Sequence, residues 1–272
     1  MDIDTVRIGI IGVGGMGSHH AKLIKNGQVP VAKLTAVCDI NPERLTWAEK
    51  LGVVALNPVQ IQTGGASQLV PGRSVMSELD YKAVVFAGGG NRCVWQAGFW
   101  EVVAPALPLK PRVVAGVSAG AYIAALLLAG RSQQAMDWAR REMGANRRNF
   151  YPGRLLRGQR PFPHFEIYGR ALNDNLDQAA LEALRAGPEL RVLLARPPAW
   201  CGPHFALLVG FITYALEKHL RGPLHPQWPS QAGFRPEVVR AQDCRHASEL
   251  KDLIIATSCT PPILPVMHRQ GH

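Results

Sequence analysis

VVAGVSAGAYIAALLLAG, residues 113–130, is the stretch that decides the fold of most of this chain. It starts as an apolar run typical of a buried parallel strand and ends as a run apolar enough for a buried helix. Between the two lies the pattern G-x-S-x-G, from Gly116 to Gly120. Small residues around a serine let the backbone turn sharply and place the hydroxyl at the helix N-terminus. The pattern therefore predicts Ser118 as a nucleophile, with Gly116 and Gly120 forming its elbow.

A run of glycines precedes this elbow and follows an apolar strand of its own. The strand is predicted at KAVVFA, residues 82–87, and the loop at GGGNR, residues 88–92. Consecutive glycines expose backbone N–H groups, which are the donors that the oxyanion of an acyl transfer requires. We predict Gly88, Gly89 and Gly90 as an oxyanion loop, and a tight turn or a phosphate cradle is the alternative.

The two segments together, FAGGGNRCVWQAGFWEVV at 86–103 and the stretch at 113–130, resemble the patatin-like phospholipase family over roughly residues 80–270. The resemblance implies a parallel-sheet, three-layer α/β domain that hydrolyses ester bonds of lipids or related acyl esters through a Ser-Asp dyad. Hydrolysis of this kind requires no cofactor. The resemblance also implies that Arg92 is the positively charged neighbour of the oxyanion loop. Cys93 departs from the family, whose loop often ends in glycine.

The aspartate of this dyad has no counterpart in the sequence. The family carries it in an Asp-Gly-Gly or Asp-Gly-Ala motif shortly after a segment like ATSCTPPILPV, residues 256–266, but no aspartate here precedes a glycine. General-base activation contributes about 100-fold to 10,000-fold. We therefore expect a C-terminally incomplete domain with impaired turnover. A triad of Ser118, Asp243 and His268, in the order of the α/β-hydrolases, is the alternative.

A third glycine pattern lies near the N-terminus. Gly12, Gly14 and Gly17 form G-x-G-x-x-G directly after the apolar strand VRIGIIG, and Asp39 follows at the end of the next strand. This is the context of a dinucleotide-binding loop, in which the acid meets the ribose hydroxyls. The pattern predicts a site for NAD(P), and a vestigial cofactor loop is the alternative.

The sequence around this loop resembles the N-terminal segment of the glucose-fructose oxidoreductase/inositol dehydrogenase (Gfo/Idh/MocA) family. The similar stretches are IGIIGVGGMGSHHAKLI at 8–24 and VCDINPER at 37–44. The resemblance covers residues 1–53 and implies a partial Rossmann β-α-β unit. The family's Glu-Lys-Pro segment with its catalytic lysine and its substrate-binding sheet domain do not follow. Hydride transfer is therefore not predicted.

The domain organisation that follows has three parts: a dinucleotide-binding unit at 1–53, a linker at 54–79 and an acyl hydrolase domain at 80–272. From Val54 to Ser74 the sequence has neither helical nor strand periodicity and carries one charge, which favours a linker. Met76 would make a natural start for the hydrolase domain. These two unrelated resemblances and the segment between them indicate a chimeric chain. Its function has three alternatives: an active hydrolase, a nucleotide-binding oxidoreductase fragment, or an inactive product.

Other elements are predicted around these motifs. Helices are expected at 132–144, at 177–187 and at the start of the final segment 248–272, strands at 189–195 and 236–241, and an arginine- and proline-rich loop up to about Phe165. The uncharged run from Phe205 to Leu216 has the length of a buried core helix or an interfacial segment, and we expect a buried helix.

Charge, cysteine spacing and the N-terminal sequence limit the binding partners and the cellular location that we expect. The formal net charge is +10, and the region from Arg131 to Arg170 holds nine arginines against three acids. Such a surface can attract anionic membranes or nucleic acid, but no aromatic ladder or nucleic-acid module accompanies it, so we do not expect nucleic acid. Peripheral contact with an anionic membrane and a solvated arginine-rich face are the two alternatives. Five scattered cysteines without a Cys-x-x-Cys pair, and histidines such as His164 and His246 in loops, predict neither disulfides nor a metal site. The N-terminus does not resemble a signal peptide, so we expect a cytoplasmic protein, membrane-peripheral if the arginine-rich region contacts a membrane.

Overall fold

Two separate sheets organise the chain, and each lies in its own compact unit. The computed structural model describes residues 5–57, 82–106, 109–146, 148–198, 200, 202–221 and 227–259. The prediction of an α/β fold, with a Rossmann-type β-α-β unit ahead of a sheet domain, is confirmed.

The first unit is a three-stranded parallel sheet in the order β1-β2-β3. Its elements are β1 (Val6–Ile11), α1 (Gly15–Lys25), β2 (Ala32–Cys38), α2 (Pro42–Lys50) and β3 (Val54–Leu56). Asn41 caps α2, because its side chain accepts a hydrogen bond from the N–H of Glu43 at 2.9 Å. The core of this unit is small and consists of Val13, Ala21, Leu34, Val37, Ala48 and Val53.

The strand β3 corrects the predicted start of the linker. Its three residues pair in parallel with Ala36 to Cys38 of β2, where the sequence alone indicates irregular chain. A strand this short shows no alternation, so only its pairing identifies it. Residues 58–79 of the predicted linker, with Met76, lie outside the described residues.

The second unit has a four-stranded sheet in the order β4-β5-β6-β7. Its strands are β4 (Ala83–Phe86), β5 (Val113–Gly116), β6 (Glu189–Arg196) and β7 (Arg235–Arg240). Its helices are α3 (Val94–Ala106), α4 (Ala119–Leu128), α5 (Ser132–Ala145), α6 (His164–Asn175), α7 (Gln178–Ala186), α8 (Pro203–Arg221), α9 (Trp228–Gln231) and α10 (Ala247–Thr257). Short 3-10 helices lie at Gly90–Cys93, Pro152–Arg157 and Ala241–Asp243. The strands β4 to β6 are parallel, whereas β7 runs antiparallel to β6, which the expectation of a parallel sheet did not include.

The helix α4 lies at the centre of the second core. Ala121, Ala124 and Ala125 on it are fully buried, and Leu126 is nearly so. A helix that is apolar on all sides is buried on all sides, as the sequence of this segment predicts. Because α4 starts directly at Ser118, the core fixes the position of the serine turn.

The prediction of a buried helix at 205–216 is wrong in its burial. The segment is helical within α8, but Phe205 is 53% exposed and Phe211 is 71% exposed. The buried positions of this helix are Ala206 and Glu217, and the carboxylate of Glu217 accepts the N–H of Trp228 at 2.5 Å. Many of its large apolar side chains are therefore exposed to solvent. None of the helices in the described part of the chain is long and apolar enough to cross a membrane.

Candidate active site

The turn between β5 and α4 holds Ser118 in a strained backbone conformation. Its φ is 55° and its ψ is −134°, and among the described residues it is the one non-glycine residue with a positive φ. Such a conformation costs about 1–3 kcal/mol and persists where the surrounding structure enforces it. The geometry is that of a sharp strand–turn–helix elbow, with the serine directly ahead of the helix.

Gly116 and Gly120 are required by close backbone approaches on both sides of this turn. A β-carbon on Gly116 would lie 2.6 Å from the Cα of Ala121. A β-carbon on Gly120 would collide with the carbonyl oxygens of Phe86 and Ala87 at the end of β4. Backbone atoms cannot give way as flexible side chains do, so any larger residue here displaces α4 or β4.

Thr257, the last residue of α10, supports the turn from behind. The N–H of Ser118 donates to Thr257 Oγ1 at 3.0 Å, and the threonine hydroxyl in turn donates to the carbonyl of Leu193 in β6. This bond satisfies the serine's own amide. Donors for an oxyanion therefore have to come from other backbone groups.

The glycine loop after β4 lies against the serine. A β-carbon on Gly88 would lie 3.2 Å from the Cβ of Ser118, so the loop backbone passes directly beside the serine side chain. Gly90 has a φ of +60°, a conformation that glycine adopts without strain. The loop is fixed by Gln96, whose side chain donates to the carbonyl of Ala87 at 2.8 Å. Arg92 donates from Nε to the carbonyl of Gly89 at 3.4 Å and is exposed, so its charge lies on the loop.

A cavity of about 610 Å³ opens between this loop and the helices α4 to α6. Ser118, Gly89 and Gly90 form part of its wall. Its apolar lining is contributed by Val94, Ala97, Ile123, Leu126, Met136 and Ile167. A largely apolar cavity of this size with a few convergent polar groups is the usual form of a small-molecule site.

Two polar residues of this cavity were not identified from the sequence. Tyr168 is partly buried, its hydroxyl lies 3.1 Å from Ser258 Oγ, and loss of solvent around it raises the pKa of this phenol. His164 lines the same cavity, and its Nδ1 is buried without a hydrogen-bond partner among the described residues. The sequence predicts a loop at His164, whereas this histidine begins α6. The helix was missed because its polar sequence follows a proline and has no capping side chain.

None of the described residues that line the cavity is an aspartate or a glutamate. Asp243 lies in the 3-10 helix Ala241–Asp243, where its carboxylate is 4.0 Å from Arg240 Nε, and it does not line the cavity. His246 is the N-cap residue of α10 and does not line the cavity either. His268 lies outside the described residues. The alternative triad is therefore not assembled in the part of the chain that the structure describes.

In the first unit, the predicted dinucleotide loop has the expected close approach. A β-carbon on Gly17 would collide with the carbonyl of Gly12, whose φ is +79°. Asp39 is buried, and its carboxylate accepts the N–H of Val13 at 2.7 Å and the N–H of Asn41 at 2.9 Å. Asp39 therefore holds the glycine loop in place, a role that its sequence spacing does not indicate.

Arg44 is a second residue beside this loop that sequence reasoning missed. Its guanidinium lies 3.6 Å from the Asp39 carboxylate, and a β-carbon on Gly14 would be 3.4 Å from its Nη1. Over the described ranges of both units, no three His, Cys, Asp or Glu side chains are grouped so that they could hold a metal ion.

The second unit is thus a mixed α/β domain in which a strand–turn–helix elbow and a glycine loop share one cavity. A family model described as patatin-like phospholipase matches residues 84–272, which is more than half of the chain. The chain belongs to the patatin-like phospholipase family. Membership supports lipid hydrolysis at the level of the family.

Among solved structures, the chain is similar to scyllo-inositol dehydrogenase from Lactobacillus casei with bound NAD(H) and scyllo-inositol. The identity is 18% and the TM-score 0.30, over 78% of this chain and 50% of that one. For a probable dehydrogenase from Thermotoga maritima the identity is 18% and the TM-score 0.28, over 79% of this chain and 52% of that one. The chain thus spans about half the length of these structures, and TM-scores this low do not establish a shared fold. No curated protein matches the sequence.

Proposed function

We propose that the second unit is a serine acyl hydrolase acting on lipids or related acyl esters, with Ser118 as its nucleophile. The observation that carries this proposal is the left-handed backbone of Ser118 at the β5–α4 turn, on the wall of a largely apolar cavity. A strained serine at such a turn is a feature that chemistry, rather than packing, requires.

The proposed reaction begins with attack of Ser118 Oγ on the ester carbonyl. The negative charge that develops on the carbonyl oxygen needs hydrogen-bond donors. Gly89 and Gly90 line the same cavity as Ser118, and their backbone N–H groups are the proposed donors. The N–H of Ala119, at the first position of α4, adds a donor at a helix N-terminus. The alcohol leaves, and water then hydrolyses the acyl-serine.

The weak point of this reaction is the base that takes the proton of Ser118. The described cavity wall offers no carboxylate. General-base assistance is worth about 100-fold to 10,000-fold, so the proposed activity is slow and most visible with activated esters. A good leaving group lessens the need for proton transfer, and a fluorophosphonate probe reports the acylation step alone.

The test is hydrolysis of a short-chain p-nitrophenyl ester together with fluorophosphonate labelling. Wild type is compared with Ser118→Ala and with Ser132→Ala, a serine that lies on the same cavity wall. Loss of hydrolysis and labelling in Ser118→Ala alone supports the proposal. Hydrolysis or labelling that survives in Ser118→Ala would show that another residue reacts.

We also propose that this hydrolase works in the cytoplasm at an anionic membrane surface, which it meets through the region from Arg131 to Arg170. Much of the charge of this region is internally compensated: Arg131 pairs with Asp177 at 3.1 Å, and Arg170 pairs with Glu142 at 3.0 Å. The contact therefore depends on those arginines that have no such partner.

A second candidate function, nucleotide binding by the first unit, is favoured by the close approach of Gly17 to Gly12. The first unit fits a dinucleotide in part: Gly17 makes the close approach to Gly12, whereas the Asp39 carboxylate is buried and already accepts two backbone N–H groups. When bound, NAD(P) would supply a hydride acceptor or donor. The test is the shift in melting temperature on adding NAD or NADP, with Gly14→Val as the matched variant. A wild-type melting temperature that neither NAD nor NADP changes would mean that the glycine loop is vestigial.

A further inference from the structure

A small loop next to the cavity presents two adjacent leucines to solvent. Leu155 is 57% exposed and Leu156 is 92% exposed. Both belong to the 3-10 helix Pro152–Arg157, none of whose residues is buried. Single exposed leucines are normal on protein surfaces, but an adjacent pair at the tip of a loop marks a surface that meets another apolar phase.

Hydrogen bonds within the loop hold its two ends together, so its conformation is fixed. The N–H of Tyr151 donates to the carbonyl of Pro161 at 2.9 Å, which joins its two ends. Phe150 and Phe162 continue this closure with ring centroids 5.3 Å apart. Within the loop, Gly158 ends the 3-10 helix with a φ of +66°. A compact loop whose ends meet in this way holds its tip outward in a fixed form.

Arginines that lack an acidic partner flank Leu155 and Leu156 in the sequence. Arg148, Arg157 and Arg160 are exposed, and none of them forms an ion pair with any residue that the structure describes. Arg154 differs, because it is bound to Glu166 at 2.7 Å. Arginines beside exposed leucines match the boundary of an anionic bilayer, where apolar side chains enter the acyl region and guanidinium groups meet phosphates. A purely apolar protein partner would leave these charges unmatched.

Both ends of the loop are attached to the cavity that holds Ser118. Asn149 directly precedes Phe150, His164 directly follows Pro163, and both Asn149 and His164 line the cavity. A surface that binds the tip of this loop is therefore brought next to the cavity. For a lipid hydrolase, this position would place its substrate at the site.

We propose that residues 148–160 form a docking surface for bilayers that contain anionic lipid, with Leu155 and Leu156 inserted and Arg148, Arg157 and Arg160 on the headgroups. Delivery of substrate to Ser118 rests on the proposed function, whereas the docking itself needs no catalysis.

The test is co-sedimentation of the whole chain with vesicles of phosphatidylcholine and phosphatidylglycerol, beside vesicles of phosphatidylcholine alone. The wild type is expected to bind the anionic vesicles and to be released by high salt. The double variant Leu155→Ser, Leu156→Ser is expected to lower the partition coefficient by more than about tenfold. The double variant Arg157→Gln, Arg160→Gln is expected to lower it roughly 30-fold at low salt.

The matched control is the double variant Leu208→Ser, Leu220→Ser on α8, where both leucines are more than half exposed. It is expected to bind as the wild type does, and unchanged melting temperatures exclude misfolding as a cause. Wild type that ignores anionic vesicles, a loop variant that binds normally, or an equal loss in the α8 control would each overturn the proposal. Ser118→Ala is expected to bind normally, so loop-dependent binding without any esterase activity would reject the proposed function and leave the docking surface in place.

Discussion

The backbone N–H of Ser118 is bound to the hydroxyl of Thr257, a residue 139 positions further along the chain, at 3.0 Å. This bond joins the turn after β5 to the last residue of α10, and the same hydroxyl is tied to β6 through the carbonyl of Leu193. One threonine thus connects three elements at the site. The chain that follows Thr257 therefore starts beside the proposed nucleophile.

Replacing Thr257 by valine keeps the volume and removes the acceptor. An amide left without a partner at a partly buried site costs about 1–3 kcal/mol. We expect lower stability in thermal unfolding and weaker fluorophosphonate labelling of Ser118. Thr257→Ser keeps the hydroxyl and is expected to recover both; equal damage from serine and valine would mean that only the methyl group matters.

The space around Gly120 predicts a strong effect of one methyl group. Gly120→Ala places a carbon on the carbonyl oxygens of Phe86 and Ala87, which the backbone cannot avoid without moving β4 or α4. We expect a loss of several kcal/mol, of the order found for overpacked cores. The control is Gly98→Ala in α3, where no atom lies within 4 Å of the added carbon.

The Gly98→Ala variant is expected to be stabilised by roughly 0.5–1 kcal/mol, because alanine is the better helix former. Chemical denaturation of both variants gives the comparison. Similar stabilities of Gly120→Ala and Gly98→Ala would show that the backbone around Gly120 has room for a β-carbon.

The strained backbone of Ser118 predicts that glycine is a more stable replacement there than alanine. Ser118→Gly relieves the positive φ, whereas Ser118→Ala keeps the strain and also removes the hydroxyl. We expect neither variant to be labelled by a fluorophosphonate, and we expect Ser118→Gly to be more stable than Ser118→Ala by about 1 kcal/mol. Melting curves of the two variants measured together provide the check; equal stabilities would mean that the turn carries no strain.

Cys38 predicts a pH-dependent reactivity in the first unit. Burial, with the nearby charge of Asp39, raises the pKa of this thiol from 9.0 to about 11. Since the thiolate is the reactive form, iodoacetamide is expected to label Cys38 slowly at pH 8 in the folded chain, while the partly buried Cys259 is labelled first. Peptide mass spectrometry after timed quenching measures both sites, and comparable rates at Cys38 and Cys259 would contradict the burial.

The same shift has a consequence for stability. The folded pKa is raised, so the unfolded chain releases the thiol proton first as the pH increases. The stabilising contribution is complete below pH 9.0 and is lost as the pH rises towards about 11. Replacement by alanine, Cys38→Ala, is expected to flatten the fall in melting temperature over this interval.

Local patterns were sufficient to predict the β-α-β order and both glycine loops. The turn at Ser118 and the helix α1 follow from glycine spacing and from apolar runs, which act over a few residues. The helix α6 was missed because its start at His164 follows a proline without a capping side chain. Because α6 was not predicted, the sequence did not indicate that His164 and Tyr168 line the same cavity as Ser118.

Long-range pairing could not be predicted from the sequence. The antiparallel direction of β7, the contact of Thr257 with Ser118 and the bond from Val13 to Asp39 each join residues that are far apart in the chain. The exposure of Phe211 had the same origin, because the apolar content of α8 does not reveal which of its sides faces the core. Such features depend on the packing of whole elements.

The strands β4 to β7 lie in the sheet in the same order as in the chain. As the ribosome releases the polypeptide, each new strand can therefore join the edge left by the one before it, without waiting for later segments. The serine turn is different, because its amide finds the hydroxyl of Thr257 only when α10 has been translated. Nascent chains released early would carry the sheet and the serine with an unsupported turn. The support of the serine turn therefore forms only after all four strands of this sheet have been translated.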